Sequence, residues 1–513
     1  MESCSVGVLG LDALSYEYLT KIAESGYAPT LKYLMSHGFA YTLRALEPVP
    51  PLTPTSWASI LTGVNPGKHG VPGFCDREGR LVTAERLEHP RVCEMVALNG
   101  RSSVIINPIP EYPLYALRGC HALSHGFFAP RPLCNSDLLA RYLDSAPSPD
   151  LKYSYNDCRV AAVQREQYEY YLGIVEEVVE RVDGLALLWV NLDYPDNYLH
   201  VCPSAVPKCG RVGVRSEEVA VVRVIDRIAR VLLESLDVVI VVSDHGFSRY
   251  DKTIYLNSFL RLKGYVEVTR ERSRAPSLPE PLERAERRLV KVRVSQRARR
   301  MVRALHLGGL ASAALRLLRR LNVNVKVERG LFVDRVKSKA YMPFSSYMGL
   351  VVKGDWLIGQ VIGDLKGLEG VLVAKKGSEY AWGPYASRLP DVVVLPDFFR
   401  GYLISDEVGE NEVVRERAAV WHHPDGVFLI GPSSRLHCAD VHPSKAGSVL
   451  KPYVVANVIL PLLGMPVSHV ADGVNEARMV LGENVIITER NYTSKWRVIK
   501  RARALRGARP RAA

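Results

Sequence analysis

The stretch Val238-Val239-Ile240-Val241-Val242-Ser243-Asp244-His245-Gly246 runs from an unbroken aliphatic, β-branched segment straight into Ser-Asp-His-Gly. A short apolar run bounded by polar or Gly residues reads as a strand buried on both faces, the kind found in parallel sheets. Asp244 and His245 are adjacent, so they converge only where the strand becomes irregular, and Ser243 and Gly246 supply that break. The arrangement recurs along the chain. Val6 to Leu11 leads into Asp12, Leu187 to Leu192 leads towards Asp196 and His200, and His422 and His423 precede the run Gly426 to Ile430. Carboxylates and imidazoles gathered at strand ends are what a binuclear metal site needs.

Between these runs lie segments of helical periodicity. Strands are expected at 4–11, 104–107, 185–192, 237–243 and 427–430, and helices near 14–37, 160–181 and 214–236. Strands alternating with helices predict an α/β fold with a mostly parallel sheet covered on both faces. From about 265 to 330 the pattern breaks into a charged, Pro-containing loop and two Arg-rich helical stretches, near 283–303 and 309–321, which reads as an insertion or cap. The expected organisation is a core from 1 to 264, the Arg-rich insertion at 265–330, the rest of the core at 331–486, and a basic, partly disordered tail at 487–513. Apolar, β-prone segments resume at 331–334, 348–353, 370–374 and 391–395.

The 513 residues carry a net charge of +13. Residues 261–303 hold fourteen basic and five acidic residues, and Lys495 to Ala513 hold eight basic and no acidic ones. Such runs are solvated faces or sites for phosphate-rich ligands, nucleic acid or an anionic surface. Only Trp496 interleaves the tail, so base stacking has little support there, and the tail is expected to be dispensable for hydrolysis of small substrates. No stretch is long and apolar enough to span a membrane, and the first residues lack a basic leader, so a cytoplasmic location is expected. The nine cysteines show no C-x-x-C spacing and read as thiols.

Thr53-Pro54 is a helix-start signal, with Thr53 suited to the N-cap and Pro54 to the first helical position of a helix that ends before Gly63. A hydroxyl placed there sits where free backbone N–H groups and the helix dipole favour an anion.

With these pieces in order, the chain resembles the type I phosphodiesterase/nucleotide pyrophosphatase family of the alkaline phosphatase superfamily. The resemblance is carried by Gly10-Leu11-Asp12, Thr53 before Thr62-Gly63, and Asn65-Pro66-Gly67-Lys68-His69-Gly70. It continues through Pro195-Asp196-Asn197-Tyr198-Leu199-His200, Ser243-Asp244-His245-Gly246, His422-His423-Pro424-Asp425-Gly426, Leu462-Leu463-Gly464-Met465-Pro466 and Asp472-Gly473. It implies an alkaline-phosphatase-like α/β core with a cap, and two divalent metal ions. Asp12, Thr53, Asp244 and His245 would surround one, and Asp196, His200 and His422 the other. Thr53 would be the nucleophile and form a covalent intermediate that water then hydrolyses. A mixed nitrogen and oxygen donor set suits zinc, with manganese or magnesium as alternatives. The implied activity is hydrolysis of a phosphodiester or pyrophosphate bond in a nucleotide or small phosphoester.

The chain departs from the family pattern in places. Pro54 is followed by Thr55, which leaves Thr53, Thr55 and Ser56 as nucleophile candidates, with Thr53 favoured by its spacing to Thr62-Gly63. Ser56 stands where relatives place an amide that binds a phosphate oxygen, and Leu199 where Gly is usual. His422 and His423 compete for one ligand position. Asn107 is a further candidate near the substrate, and His69 is expected to order the loop after the nucleophile helix. Specificity is expected in the loops at 71–90 and 108–135 and in the Arg-rich insertion. The other activities open to this fold are phosphatase, phosphonate hydrolase and phosphomutase, and the reading from another class is an inactive protein that binds nucleic acid or an anionic membrane surface.

Overall fold

The computed structural model describes residues 4–125, 131–147, 157–207, 213–269, 289–291, 324–326, 331–408, 413–432, 434–436, 446–505 and 511–512. Its centre is a ten-stranded mixed sheet. In spatial order the strands are 449–450, 39–44, 425–431, 238–242, 6–11, 185–192, 102–106, 120–124, 133–134 and 511–512. The five from Val238–Val242 to Cys120–Ser124 run parallel, as the alternation of strand and helix predicts. Side chains alternate between two cores. Val6, Val8, Ile105, Leu187, Trp189 and Ile240 pack on one face with helices Thr53–Thr62, Val92–Leu98 and Val454–Leu462. Leu9, Leu11, Val104, Ile106, Leu188 and Val241 pack on the other with helices Tyr16–Glu24, Pro29–His37, Val160–Arg181 and Ser216–Ser235. Burial on both faces is why these strands are aliphatic throughout rather than alternating.

Several elements differ from the sequence reading. The single helix expected at 14–37 is two, parted at Gly26 with φ +81 and restarted by Pro29. Strands Phe39–Arg44 and Cys120–Ser124 were not expected. A long antiparallel pair, Gly246–Tyr255 with Val414–His423, also escapes the sequence, because its residues mix charged and apolar side chains on a partly exposed surface. The β-prone segments at 348–353, 370–374 and 391–395 join Ala340–Tyr341 in a separate four-stranded sheet, in the order 340–341, 349–352, 392–396 and 371–376, with its own core under helix Asp355–Lys366, whereas Phe332–Val333 pairs with Val268–Thr269. Within the expected helix near 283–303 the described residues Leu289–Lys291 form a strand, paired in parallel with Asn324–Lys326; the rest of that helix and the one near 309–321 lie outside the described residues.

Two expectations are corrected. Cys158 and Cys202 form a disulfide with Cα atoms 5.0 Å apart, whereas Cys75, Cys93 and Cys120 are buried thiols. Such bonds persist in oxidising surroundings and in hyperthermophile cytosols. In the segment read as a partly disordered tail, Thr493–Leu505 is a helix, and Trp496 is 3% exposed within the main core. The indole anchors what charge composition alone would leave in solvent. Among the described residues no helix is long and apolar enough to cross a membrane.

The disulfide closes a loop of sequence separation 44 and ends one residue after the helix Asp196–Val201. Chain-entropy arguments give about 4 kcal/mol for a loop of that size. Cys202→Ser is therefore expected to lower thermal stability clearly in a non-reducing scan, and the difference between variant and wild type should vanish when both are scanned in reductant, which also opens the disulfide of Cys4.

Candidate active site

In a parallel sheet, loops at the C-terminal strand ends converge along one edge. Asp12 follows Val6–Leu11, the turn leading to Asp196 follows Leu185–Leu192, and Asp244 and His245 follow Val238–Val242. Strand Asp425–Gly431 runs antiparallel to Val238–Val242, so its beginning lies at the same edge. His422 enters there because it pairs with Phe247 across the antiparallel ribbon.

The geometry brings all the expected ligand residues together. His245 Nε2 lies 3.6 Å from Asp12 Oδ1 and 3.2 Å from Asp244 Oδ2. Asp196 Oδ1 is 3.3 Å from Nε2 of both His200 and His422, and those two nitrogens are 3.1 Å apart. The rings of His245 and His422 stack at 3.9 Å. Two sets, Asp12 with Asp244 and His245, and Asp196 with His245 and His422, have the spacing of metal ligands. Asp196 and His200 meet on one face of a helical turn, as their spacing predicts.

The hydrogen bonds behind these groups show what they are prepared for. His245 Nδ1 lies 3.0 Å from the Gly246 carbonyl, and His422 Nδ1 lies 3.1 Å from the Pro51 carbonyl. A ring N–H donates to a carbonyl, so both Nε2 atoms present lone pairs, the arrangement of metal-ligating histidines. Asp12 Oδ2 accepts from Trp57 Nε1 at 3.2 Å, and Asp244 Oδ1 accepts from the Ala13 N–H at 3.2 Å. Their second oxygens, Asp12 Oδ1 and Asp244 Oδ2, are buried without a hydrogen-bond donor, as is Asp196 Oδ1. Carboxylate oxygens facing imidazole lone pairs repel unless a cation lies between them, so the donor set fits divalent metal ions.

The charge states agree with that picture. Burial, then the neighbouring Asp244 and Asp196, push Asp12 well above the carboxylate range. Asp244 is raised by burial and by Asp196. Burial works against ionisation of Asp196 too, but His200 and His422 outweigh it and hold the group well below its usual value. Burial and His422 depress His245.

Thr53 Oγ1 is 3.3 Å from His245 Nε2 and almost buried. The helix boundary is shifted by one residue from the sequence reading: Leu52 is the N-cap, Thr53 the first helical residue and Pro54 the second. The backbone N–H of Thr53 still lacks an intrahelical acceptor by position. Thr55 is buried with its hydroxyl unpartnered. Ser56 donates to the Asp244 carbonyl at 2.6 Å, which braces the ligand turn. Asn107, at φ +56, donates to the Asn191 carbonyl and accepts from the His125 N–H, so the fold uses both ends of its amide. His423 Nδ1 accepts from the Asp425 N–H, away from the ligand set. His69 bonds Ser59 and the Val71 N–H, which orders the loop as expected.

Sequence reasoning missed the supports: Trp57, Ser243, the Pro51 carbonyl and Tyr250, whose hydroxyl donates to the His422 carbonyl at 2.7 Å. Gly10 carried a usable signal. A Cβ there would lie 2.0 Å from Asn191 Oδ1 and 2.8 Å from the Trp57 ring, so only glycine lets the indole reach Asp12.

Comparisons with known proteins place this geometry. A family model described as type I phosphodiesterase / nucleotide pyrophosphatase matches residues 6–308. Phosphonoacetate hydrolase from Sinorhizobium meliloti 1021, in complex with phosphonoformate, is 13% identical, with 89% of this chain and 94% of that one covered, at a TM-score of 0.51. Human ectonucleotide pyrophosphatase/phosphodiesterase 5 is 12% identical, with 93% and 99% covered, at a TM-score of 0.50. At these identities the likeness is one of fold. No curated protein matches at a significant level.

Trp57→Phe keeps most of the ring bulk and removes the N–H bonded to Asp12. Loss of such an outer hydrogen bond is expected to reduce divalent-metal affinity or activity about 10–100-fold. Metal content and rate, read beside an unchanged melting temperature, check this.

Proposed function

The chain belongs to the type I phosphodiesterase/nucleotide pyrophosphatase family, and from that premise we propose that it is a metal-dependent hydrolase of phosphodiester or pyrophosphate bonds acting through a covalent intermediate on Thr53. The observation that carries this reading is the set of donorless oxygens on Asp12, Asp196 and Asp244, converging with imidazole Nε2 atoms beside the Thr53 hydroxyl. Among the described residues, the ion-pairing partners of these carboxylates are histidines alone.

Asp12, Thr53, Asp244 and His245 would hold one divalent ion, and Asp196, His200 and His422 the other. The mixed donor set suits zinc, with manganese or magnesium as alternatives. Bound ions of this kind lower the pKa of a hydroxyl and stabilise charge on entering and leaving oxygens.

The chain's own residues supply the rest. Thr53 Oγ1 attacks phosphorus in line, so its bond to phosphorus forms as the bond to the leaving oxygen breaks. Water then attacks the same phosphorus, breaks the bond to Thr53 and restores the hydroxyl. Thr53 is preferred to Thr55 and Ser56 because its hydroxyl alone of the three lies against a ligand side chain, at His245 Nε2, whereas that of Ser56 is engaged by the Asp244 backbone carbonyl. The helix N-terminus favours the anionic phosphoryl group. Beside Pro54 lies a largely apolar cavity lined by Phe74, Val82, Ile109, Pro110 and Tyr112. At about 10 Å³ it has room for about one water-sized group, and it falls in the loops where specificity is expected, so its rim is the proposed contact for the organic group of the ester.

The test is hydrolysis of bis-p-nitrophenyl phosphate against p-nitrophenyl phosphate, with zinc, manganese or EDTA. Diester cleavage should require metal and drop by about a thousandfold or more in Thr53→Ala, with metal content retained. Full activity in that variant sinks the nucleophile assignment, and a monoester preference moves the reading to a phosphatase.

A further inference from the structure

The C-terminal helix Thr493–Leu505 lies against the loop that follows the nucleophile helix. Trp496 is buried in the main core, and Tyr492 before it donates to the Pro466 carbonyl at 2.7 Å. From this anchor two basic side chains reach the loop. Lys500 Nζ donates to the carbonyls of Leu87, Glu85 and Ala84 at 2.6, 3.0 and 3.4 Å. Arg497 donates to the Glu88 carbonyl at 3.3 Å and to the Tyr385 hydroxyl at 3.0 Å.

The Lys500 ammonium also lies 5.0 Å from the Trp496 ring centre and 5.4 Å from that of Tyr115. An ammonium among three carbonyls and two aromatic faces is well held. Burial is deep enough to lower its pKa to about 8.

The clamped backbone directly follows residues of the cavity wall. Leu81, Val82 and Thr83 line the cavity beside Pro54, and Tyr112 lines it as well. The Ala84 N–H donates to the Tyr112 carbonyl at 2.6 Å, which joins the two parts of the wall. The Glu88 N–H donates to the His69 carbonyl at 3.0 Å, which ties the loop back towards the nucleophile helix. The carbonyls of Ala84, Glu85, Leu87 and Glu88 thus face the C-terminal helix, while the preceding residues face the cavity.

We propose that the C-terminal helix is a strap whose Lys500 clamps the 84–87 backbone and so sets the adjoining wall, residues 81–83, of the cavity beside Pro54. Lys500 is then a positioning residue for the organic group of the substrate: it governs substrate affinity and leaves the chemical step alone. The proposal rests on the reading of that cavity as part of the substrate site.

The test uses the full-length, metal-loaded protein with Lys500→Ala, Lys500→Arg and the control Lys495→Ala, which removes an exposed charge from the same helix. For bis-p-nitrophenyl phosphate, Lys500→Ala should raise KM about tenfold with kcat within about twofold. Lys500→Arg should recover part of the loss, and Lys495→Ala should match wild type. Amide hydrogen exchange over residues 80–90 should speed up in Lys500→Ala alone. Unchanged KM and exchange in Lys500→Ala would overturn the proposal. So would an equal fall in kcat and melting temperature, the mark of general loosening. A wild-type protein that cleaves no diester fails the proposed function instead, and the exchange result still decides the strap.

Discussion

Three carboxylates and their imidazole neighbours are buried together at one edge of a parallel sheet, and the rest of the site follows from keeping them there. Neighbouring strands end in Asp244, Asp12 and the turn to Asp196, so the strand order alone brings like charges side by side. Burial and mutual repulsion drive Asp12 and Asp244 towards the neutral form. Two cores of aliphatic side chains hold the strands in register against that cost. The hydrogen bonds from Trp57 and Ala13 each satisfy one oxygen and leave the other facing inward. Ala13 takes the left-handed conformation, at φ +61, where its N–H reaches Asp244. A fold that spends a strained residue on aiming a carboxylate is built around the charge that the carboxylate receives.

Several of the motifs that mark the family in sequence stand outside the chemistry. Asn65 bonds Asp472 through both its backbone N–H and its side-chain amide, and Lys68 pairs with the same carboxylate. Asn457 donates to the carbonyls of Gly63 and Asp472. The segment after the nucleophile helix is thereby fastened to the C-terminal part of the core, far along the chain. His69 completes the arrangement: burial lowers it to about 3, so it serves as a neutral hydrogen-bonding ring. These residues fix where the nucleophile helix ends, whereas Pro51 and Ser56 fix where it begins.

What could be read from sequence was local. The runs before Asp12, Asp196 and Asp244 are strands in which period and composition agree, and Asp196 with His200 is a single helical turn. His422 could not be separated from His423 by composition, because the choice is made by pairing with Phe247 across a ribbon whose other strand begins 176 residues earlier in the chain, at Gly246. The same holds for the separate small sheet and for the Cys158–Cys202 bond, which depend on contacts between distant segments. The C-terminal helix was misread for a different reason. Its charge resembles that of a solvated tail, and one indole reverses the outcome, because burying an aromatic side chain outweighs the local preference of its neighbours for water.

The two halves of the site answer to different parts of the chain. The ligand residues sit on strand ends and a short helix braced by the core, where a shift of an ångström would break several hydrogen bonds at once. The cavity beside Pro54 is walled by loops, and loops hold a shape only when something else holds them. Here the loop behind the wall is tied by Tyr112, by His69 and by the helix Thr493–Leu505. Sequence change in that helix can therefore retune the cavity without touching a ligand residue. On the proposed function, such a division leaves the chemistry to the sheet edge and the choice of ester to whatever fastens the loops above it.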